Sequence, residues 1–135
     1  ETIRWEADRR GLGQAVRFLG LREDVDRLMQ GMDALLMPSR FEGLPLTLIE
    51  AQCAGLPCLV SRAVTEEAAV TDLVIRLPLG DPESWAQRLY ESAPRNQRRD
   101  RSGDVAAAGF ERRTRTEETE KLYRRLAEER NGGNN

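Results

Sequence analysis

Short apolar runs alternate with longer amphipathic stretches along this chain, and the alternation predicts strands and helices in turn. The apolar runs predict strands at residues 16–19, 34–37, 58–60 and 73–77. The amphipathic stretches predict helices at residues 1–10, 22–30, 45–54, from Asp81 onward, 105–110 and 116–130. Strands and helices that alternate over short links are typical of an α/β fold with a doubly wound parallel sheet.

Residues 33–57 predict a strand, a loop and a helix in close succession. Pro38 ends the strand because proline has no N–H for a sheet ladder. Pro45 fits the first turn of the helix, and Gly55 stops that helix. In a parallel sheet, the loop at residues 39–43 lies at the carboxyl ends of the strands, where α/β proteins bind ligands. The free N–H groups at the helix start favour a phosphate there.

Two glutamates make this stretch more than a general anion site. Glu42 lies in the loop, and Glu50 lies on the helix with seven residues between them. Helical spacing places Glu50 on one face with Leu46, Ile49 and Cys53. Two interpretations stay open for Glu50: it turns to water at the edge of the apolar stripe, or it points into the crevice and accepts hydrogen bonds from ligand hydroxyls.

Three segments of the chain resemble a known enzyme family. The segment PSRFEGLPLTLIEAQCAGLP resembles the E-x7-E segment of retaining GT-B glycosyltransferases, most of all the family-4 enzymes that build bacterial exopolysaccharides. The upstream segment VRFLGLREDVDRLMQGMDALLMPS and the downstream segment CLVSRAVTEEAAVTDLVIRLPL resemble the same family. The resemblance implies a Rossmann-like parallel sheet with flanking helices, as a partial C-terminal GT-B domain over residues 1–130. Residues 131–135 are expected to form a flexible tail.

The resemblance also implies which residues bind a nucleotide-diphosphate sugar. Glu50 is expected to bind the ribose hydroxyls, and Glu42 the hydroxyls of the donor sugar. Carboxylates suit this task because they only accept hydrogen bonds, which sugar hydroxyls can donate. Backbone N–H groups near Gly43, Leu44 and Leu46 are expected to hold the pyrophosphate.

Four further residues are predicted to contact the nucleotide. Ser39 and Arg40 lie in the same loop; the Ser39 hydroxyl either contacts the donor or closes a turn. The base is expected beside Gly20 and Arg22, where a predicted strand ends and a helix begins. Arg22 either stacks on the base or approaches the phosphate, or it is an arginine of the first helical turn in water.

No metal and no other cofactor is expected. Asp24 and Asp26 spell D-x-D, the metal-binding motif of the other large glycosyltransferase fold, but they fall inside a predicted helix and cannot both face one ion. The chain has no histidine, which excludes histidine metal sites and the most common general base. The prediction is therefore a metal-independent enzyme.

Composition narrows the class of partner and the compartment. The chain is 39% hydrophobic and 33% charged, and its net charge of -2 gives no electrostatic reason for a nucleic-acid partner. No apolar run reaches the length of a membrane span, and no signal-peptide pattern opens the chain. Cys53 and Cys58 could form a disulfide but are more typical of buried reduced thiols. We expect a cytoplasmic protein, with peripheral contact to the inner face of the membrane an open question for the full enzyme.

The front of the chain departs from the family pattern. Family members open this domain with a strand, a glycine loop, an Arg/Lys pair that neutralises the leaving diphosphate, and a second strand. Residues 1–20 cannot supply these pieces. We therefore expect an N-terminally truncated domain that lacks the N-terminal GT-B partner domain, is inactive alone and leaves an open sheet edge.

The implied activity is retaining transfer of a sugar to a saccharide or lipid-linked acceptor in polysaccharide biosynthesis. A non-catalytic nucleotide- or protein-binding module of the same fold is the main alternative, and an epimerase or phosphorylase on this architecture is a third. The basic run at residues 96–101 is interpreted either as a solvated surface or as a patch for phosphate or lipid headgroups.

Overall fold

A computed structural model describes residues 2–92 and 98–111, together with Lys121, Tyr123 and Arg125. The helices are α1 (Thr2–Arg9), α2 (Val25–Gln30), α3 (Leu46–Cys53), α4 (Pro82–Ser92) and α5 (Ser102–Val105). The strands are β1 (Leu35–Met37), β2 (Cys58–Ser61) and β3 (Val74–Leu77). A short 3-10 helix covers Glu66–Ala68, and a π-helical turn, Ala106–Phe110, follows α5.

The described strands form a parallel sheet in the order β1-β2-β3. Leu59 in the central strand is in register with Leu36 on one side and Ile75 on the other. Every residue of β2 is buried, as expected for the middle strand of a sheet covered on both faces. The predicted strands at residues 34–37, 58–60 and 73–77 are confirmed, and so is the α/β class.

Helices cover both faces of the sheet. Cys58 and Val60 point to one face, where α3 and α5 build the main core cluster of the described residues. Leu59, between them, points to the other face and packs with Leu77 and with Trp85 of α4. Successive residues of a strand point to opposite faces, so one strand anchors both layers. This is the doubly wound arrangement that the sequence predicts.

The predicted strand at residues 16–19 is wrong. This segment has irregular backbone, and the Val16 N–H donates to the Leu12 carbonyl oxygen at 2.9 Å. Its apolar side chains associate with α1 instead of the sheet: the Arg4 guanidinium lies 4.5 Å from the centre of the Phe18 ring. The outer edge of β1 therefore has no strand partner among the described residues.

Two predicted helices begin or pack differently from expectation. Helix α2 starts at Val25 rather than Arg22, because the Arg22 side chain binds Asp24, which sits at the N-cap position. In α4 the Asp81 carboxylate accepts a hydrogen bond from the Ser84 N–H at 3.1 Å, which confirms the predicted cap. Trp85 is buried as predicted, but Ala86 is exposed and does not share that face.

The C-terminal part of the chain is described in pieces. The helix predicted at residues 105–110 is present, but it begins earlier, as α5, and its last turn is π-helical. Gly109 has φ 87°, which ends the helix where the sequence predicts. Of the helix predicted at residues 116–130, Lys121, Tyr123 and Arg125 are described and helical. Its other residues and the tail at 131–135 lie outside the described residues.

Candidate functional site

The loop between β1 and α3 lies at the carboxyl edge of the sheet, as predicted. Pro45 takes the N-cap position of α3, one residue before the first-turn position expected from the sequence. Its carbonyl oxygen accepts a hydrogen bond from the Leu48 N–H at 3.0 Å, and no side chain caps this helix start. The N-terminal end of α3 thus offers backbone N–H groups toward the loop.

Glu42 is held within this loop by a serine. The Ser39 hydroxyl donates to Glu42 Oε1 at 2.7 Å, and the Glu42 side chain is half-buried. The Ser61 hydroxyl, at the end of β2, donates in turn to the Ser39 carbonyl oxygen. Ser61 is fully buried, so the sheet itself supports the backbone of the loop.

Glu50 lies on the exposed side of α3. Its side chain makes no hydrogen bond or ion pair with another described residue, and the residue is exposed to solvent. Leu46, expected on the same apolar face, is 64% exposed, whereas Ile49 is buried. The apolar stripe is therefore narrower than predicted, and Glu50 lies at its edge.

Glu50 also lines the wall of a groove of about 580 Å³ between α2 and α3. Asp26 and Gln30 come from α2, Cys53 comes from α3, and the lining also includes Arg98, Arg99 and Asp100. The lining is mixed, with acidic groups on more than one side. The groove is lined mainly by the ends of α2 and α3, and no residue of the 39–43 loop lines it, so it does not decide between the two interpretations of Glu50.

The predicted site residues do not all converge. Arg40, Gly43, Leu44 and Leu46 are exposed along the loop and the start of α3, and none of them lines the groove. Gly20 is exposed as well. Within the described part of the chain, no hydrogen bond, ion pair or shared groove joins Gly20 or Arg22 to that loop.

Arg22 is engaged locally. Its guanidinium binds the Asp24 carboxylate through two hydrogen bonds of 2.7 Å, and both side chains are partly exposed. These bonds hold the pKa of Asp24 below its usual value. Arg22 therefore lies before α2 rather than in its first turn, and its contact with a nucleotide stays a prediction.

The D-x-D acids behave as separate groups. Asp24 is paired with Arg22, whereas Asp26 lies in the first turn of α2 beside the groove. Among the described residues, no group of three or more histidine, cysteine, aspartate or glutamate side chains is placed to hold a metal ion.

The basic run contains structural arginines that neither interpretation anticipates. The Arg98 guanidinium donates to the carbonyl oxygens at the end of α2 and just beyond it, on Met29, Gln30 and Met32, and to that of Ala54 after α3, at 2.8–2.9 Å. Helix ends leave such carbonyls without intrahelical partners, so this one side chain supplies hydrogen-bond donors to the ends of two helices. Residues 96 and 97 lie outside the described part.

Arg101 has a comparable role nearer the sheet. Its guanidinium binds Asp72 and Asp104. The backbone N–H of Arg101 donates to the Cys53 carbonyl oxygen at 3.1 Å. The segment from Arg98 to Arg101 also passes close to Gly55, where a Cβ would lie 2.0 Å from the Arg99 carbonyl oxygen. Gly55 has φ 68°, so both space and conformation require glycine after α3.

Sequence reasoning also missed Gln52. This side chain is fully buried on α3. Its amide N–H groups donate to the carbonyl oxygens of Leu48 and Ala68, and its oxygen accepts from the N–H groups of Val70 and Thr71 and from the Thr71 hydroxyl, at 2.8–3.0 Å. A polar side chain within an apolar helix was the available signal, since buried polar groups need partners.

The two cysteines are free thiols. Cys58 is fully buried, its thiol donates to the Leu56 carbonyl oxygen at 3.0 Å, and burial raises its pKa to about 12. Burial also raises the pKa of Cys53, with a smaller contribution from Asp100. The expectation of buried thiols without a disulfide holds for Cys58 and in part for the half-buried Cys53.

No helix within the described residues is long and apolar enough to cross a membrane.

Comparison with known proteins places these features in a family. The family profile described as "Glycosyl transferases group 1" matches residues 1–93. The chain is 44% identical over 93 residues to EpsF of Bacillus subtilis, named as a glycosyltransferase; the match covers 67% of this chain and 24% of that protein. It is 31% identical over 127 residues to D-inositol 3-phosphate glycosyltransferase of Corynebacterium urealyticum, covering 89% of this chain and 30% of the relative.

A third relative matches a shorter part of the chain. The UDP-Gal:alpha-D-GlcNAc-diphosphoundecaprenol alpha-1,3-galactosyltransferase of Escherichia coli is 42% identical over 50 residues, which cover 37% of this chain and 13% of that protein. The chain thus spans about a third or less of the length of these relatives. No solved structure matches the chain.

Proposed function

Because the chain belongs to the group 1 glycosyltransferases, we propose that it is the donor-binding part of a retaining, family-4 GT-B glycosyltransferase of the exopolysaccharide type. The donor is a nucleotide-diphosphate sugar, and the acceptor is a saccharide or a lipid-linked sugar. The name of the Escherichia coli relative, which specifies a diphosphoundecaprenol-linked substrate, supports the lipid-linked choice.

The observation that carries this proposal is the arrangement of Glu42 and Glu50 around the start of α3. Glu42 is fixed in the loop before the helix, and Glu50 is exposed on the second turn of α3. A diphosphate at the uncapped helix start has backbone N–H groups in front of it. In this arrangement Glu42 binds hydroxyls of the donor sugar and Glu50 binds the ribose.

Gly43 supports a ligand at this position. A Cβ at Gly43 would meet nothing within 4 Å, so the packing of this chain does not demand glycine there. Close approach of a phosphate to the backbone does. The neighbouring N–H groups near Leu44 and Leu46 complete the proposed diphosphate contact, with Arg40 exposed at the outer side of the loop.

The chemistry needs no nucleophilic side chain from this chain. In the proposed same-face displacement, the leaving phosphate assists attack by the acceptor hydroxyl, and positive charge must neutralise the departing diphosphate. Arg22, Arg98 and Arg101 are bound to other groups of the chain and are not free for that task. Arg40, exposed in the loop before α3, is one cation that can approach the diphosphate. We therefore propose that further cations and the acceptor site come from other parts of a longer enzyme, and that this chain alone transfers no sugar.

Replacement of Glu50 tests the ribose role. In the full-length protein that carries this chain, Glu50→Gln should weaken donor binding by roughly 1–3 kcal/mol, because a charged hydrogen-bond acceptor is lost. Its thermal unfolding should not change, since the Glu50 side chain is exposed and makes no hydrogen bond or ion pair with a described residue. Donor titration by calorimetry is the measurement, with Glu83→Gln, an exposed glutamate of α4, as the matched control. Unchanged donor affinity in Glu50→Gln would remove the ribose role.

Chelation tests metal independence. Asp24 is paired with Arg22, whereas Asp26 lies in the first turn of α2, and this arrangement supports the proposal that the two acids bind no cation together. Sugar transfer by the full-length protein should keep its rate in EDTA, measured by release of the nucleoside diphosphate. Loss of turnover that manganese restores would revive the D-x-D hypothesis.

A further inference from the structure

We propose that Ser61 and Ser39 are positioning residues that orient the Glu42 carboxylate toward the donor sugar. The inference rests on the proposed function, because it assumes that Glu42 contacts the donor. The inference gives a role to Ser61, a buried residue outside the E-x7-E segment. For Ser39 it proposes a contact with Glu42 in place of the direct contact with the nucleotide.

The first step is the anchoring of the loop to the sheet. Ser61 ends β2 and is fully buried. Its hydroxyl donates to the Ser39 carbonyl oxygen and accepts a hydrogen bond from the Ala63 N–H at 3.3 Å. A hydroxyl that donates to one group and accepts from another has a fixed direction. The backbone at Ser39 is therefore tied to the central strand across 22 positions of sequence.

The second step is the link from Ser39 to the carboxylate. The Ser39 hydroxyl donates to Glu42 Oε1 at 2.7 Å. The other carboxylate oxygen of Glu42 has no hydrogen-bond partner among the described residues. One oxygen is thus used for orientation, and the second remains for a sugar hydroxyl, which can donate to it.

This geometry separates positioning from direct binding. A serine hydroxyl carries a single proton, and that of Ser39 is directed at Glu42. To donate to a phosphate, Ser39 would have to release the carboxylate. The two roles therefore compete for one proton, and the observed bond favours positioning.

Orientation has a functional value at this place. Phe41, next to Glu42, is 84% exposed, and a Cβ added at Gly43 would meet nothing within 4 Å, so the tip of the loop receives little support of its own. A carboxylate fixed before the ligand arrives loses less conformational freedom on binding. Removal of either serine should leave Glu42 present but less well aligned.

A double-mutant cycle in the full-length protein is the test. Ser39→Ala should lower kcat/KM for the donor about 10-fold, the typical effect of losing one charge-assisted hydrogen bond. Ser39→Thr, which keeps the hydroxyl, should restore most of it. In a Glu42→Gln background, Ser39→Ala should cause little further loss, since the two residues act as one unit. Ser61→Ala should show the same dependence on Glu42 with a smaller effect.

Two controls separate positioning from general destabilisation. Ser92→Ala removes a serine whose hydroxyl donates to the Arg88 carbonyl oxygen at 2.6 Å on α4, and it should leave kcat/KM unchanged. Val105→Ala weakens the core on α5 without touching the loop. It should lower the unfolding temperature while kcat/KM at a temperature where the variant is folded stays the same.

The outcomes distinguish this inference from the proposed function. If Glu42→Gln lowers kcat/KM but Ser39→Ala adds its full loss on top, Ser39 acts independently and the positioning role is wrong. If Ser39→Ala and Ser61→Ala have no effect while Glu42→Gln does, Glu42 needs no support and the inference again fails. If Glu42→Gln itself changes nothing, the proposed donor contact of Glu42 fails, and the positioning role fails with it.

Discussion

Helices α1 and α3 have the same length, eight residues each, but very different surroundings. In α3, Leu48, Ala51 and Gln52 are fully buried between the sheet and α5. In α1, Ala7 is buried, whereas Ile3 and Trp5 are 74% and 64% exposed. An apolar residue is therefore buried in this protein where the sheet offers a surface, and not simply where a helix forms.

The polar residues of the two helices differ in the same way. Gln52 of α3 binds segments 16 to 19 positions away along the chain. Glu6 of α1 binds Arg9 and Arg10 within the same stretch, and these hydrogen bonds, Arg9 first, hold its pKa below the usual value. Local ion pairs on an exposed helix stabilise little, because water and salt screen them.

The two helices differ in their contacts with residues that are distant in the sequence. Around α3, backbone and side-chain groups from distant parts of the chain form hydrogen bonds with one another. Around α1, the apolar side chains of Val16 and Phe18 line an open apolar surface with Trp5, and none of these residues joins the core clusters of the described chain. Mutations around α3 should therefore cost more stability than mutations around α1.

The largest expected effect is at Gln52. Gln52→Leu keeps the volume of the side chain but leaves the N–H groups of Val70 and Thr71 and the Ala68 carbonyl oxygen without their partner. Buried groups left unpaired cost about 1–3 kcal/mol each, so we expect a loss of roughly 3 kcal/mol in the free energy of unfolding. Urea denaturation measures it.

The matched control for this change is Gln87→Leu on α4. Gln87 is exposed and donates to Glu91 at 2.7 Å within its own helix. Its replacement should alter the free energy of unfolding by about 0.5 kcal/mol or less, as is usual at surface positions. Equal losses in both variants would mean that the buried hydrogen bonds of Gln52 are not what stabilises the α3 region.

An intermediate effect is expected at Arg98, at the rim of the same region. Arg98→Ala removes a guanidinium that binds carbonyl oxygens at the ends of both α2 and α3, and it should cost about 2 kcal/mol in the free energy of unfolding. Arg98→Lys should recover less than half of this, because an ammonium cannot reproduce the planar fork of donors. Chemical denaturation of both variants is the measurement.

Arg99→Ala provides the control for Arg98. Its side chain is exposed, and its position in the basic run is adjacent. If the basic run acts mainly through net charge, the two alanine variants should lose similar stability. A loss confined to position 98 would show that hydrogen-bond geometry, rather than charge, is responsible.

Sequence patterns predicted secondary structure correctly where local signals at element ends coincide with burial of the apolar residues between them. Pro38, Gly55 and Asp81 mark element ends through their own backbone and capping chemistry, and the strands around β2 lie where expected. The candidate loop was also predicted at the correct edge of the sheet. Each of these inferences depends on residues that are close in sequence.

The failures share a dependence on distant partners. The segment at residues 16–19 has the apolar character of a strand, but a strand also needs a neighbour to pair with, and this one packs on α1 instead. Arg98 donates to carbonyl oxygens at the ends of α2 and α3, and both helix ends lie more than 40 positions from Arg98 in the sequence. Ser61, at the end of β2, supports Glu42 through a hydrogen bond to the loop that follows β1. No local pattern contains this information.

The smallest expected effect is at Trp5, and it tests the α1 side of the comparison most directly. The chain has two tryptophans, Trp5 and Trp85. Trp5 is 64% exposed, and the Arg9 guanidinium lies 5.4 Å from its ring centre. Trp5→Ala should change the free energy of unfolding by about 0.5 kcal/mol or less, because little buried surface is lost.

Trp85→Ala is the internal reference for that measurement. Trp85 is 8% exposed, packs with Leu59 and Leu77, and donates from its indole N–H to the Pro78 carbonyl oxygen at 2.9 Å. Its loss should be several times that of Trp5, and acrylamide should quench the fluorescence of Trp5 more readily. If Trp5→Ala instead destabilises the protein as much as Trp85→Ala, α1 packs against the core in solution. The contrast between the two helices would then be wrong, because α1 would belong to the same cooperative unit as α3.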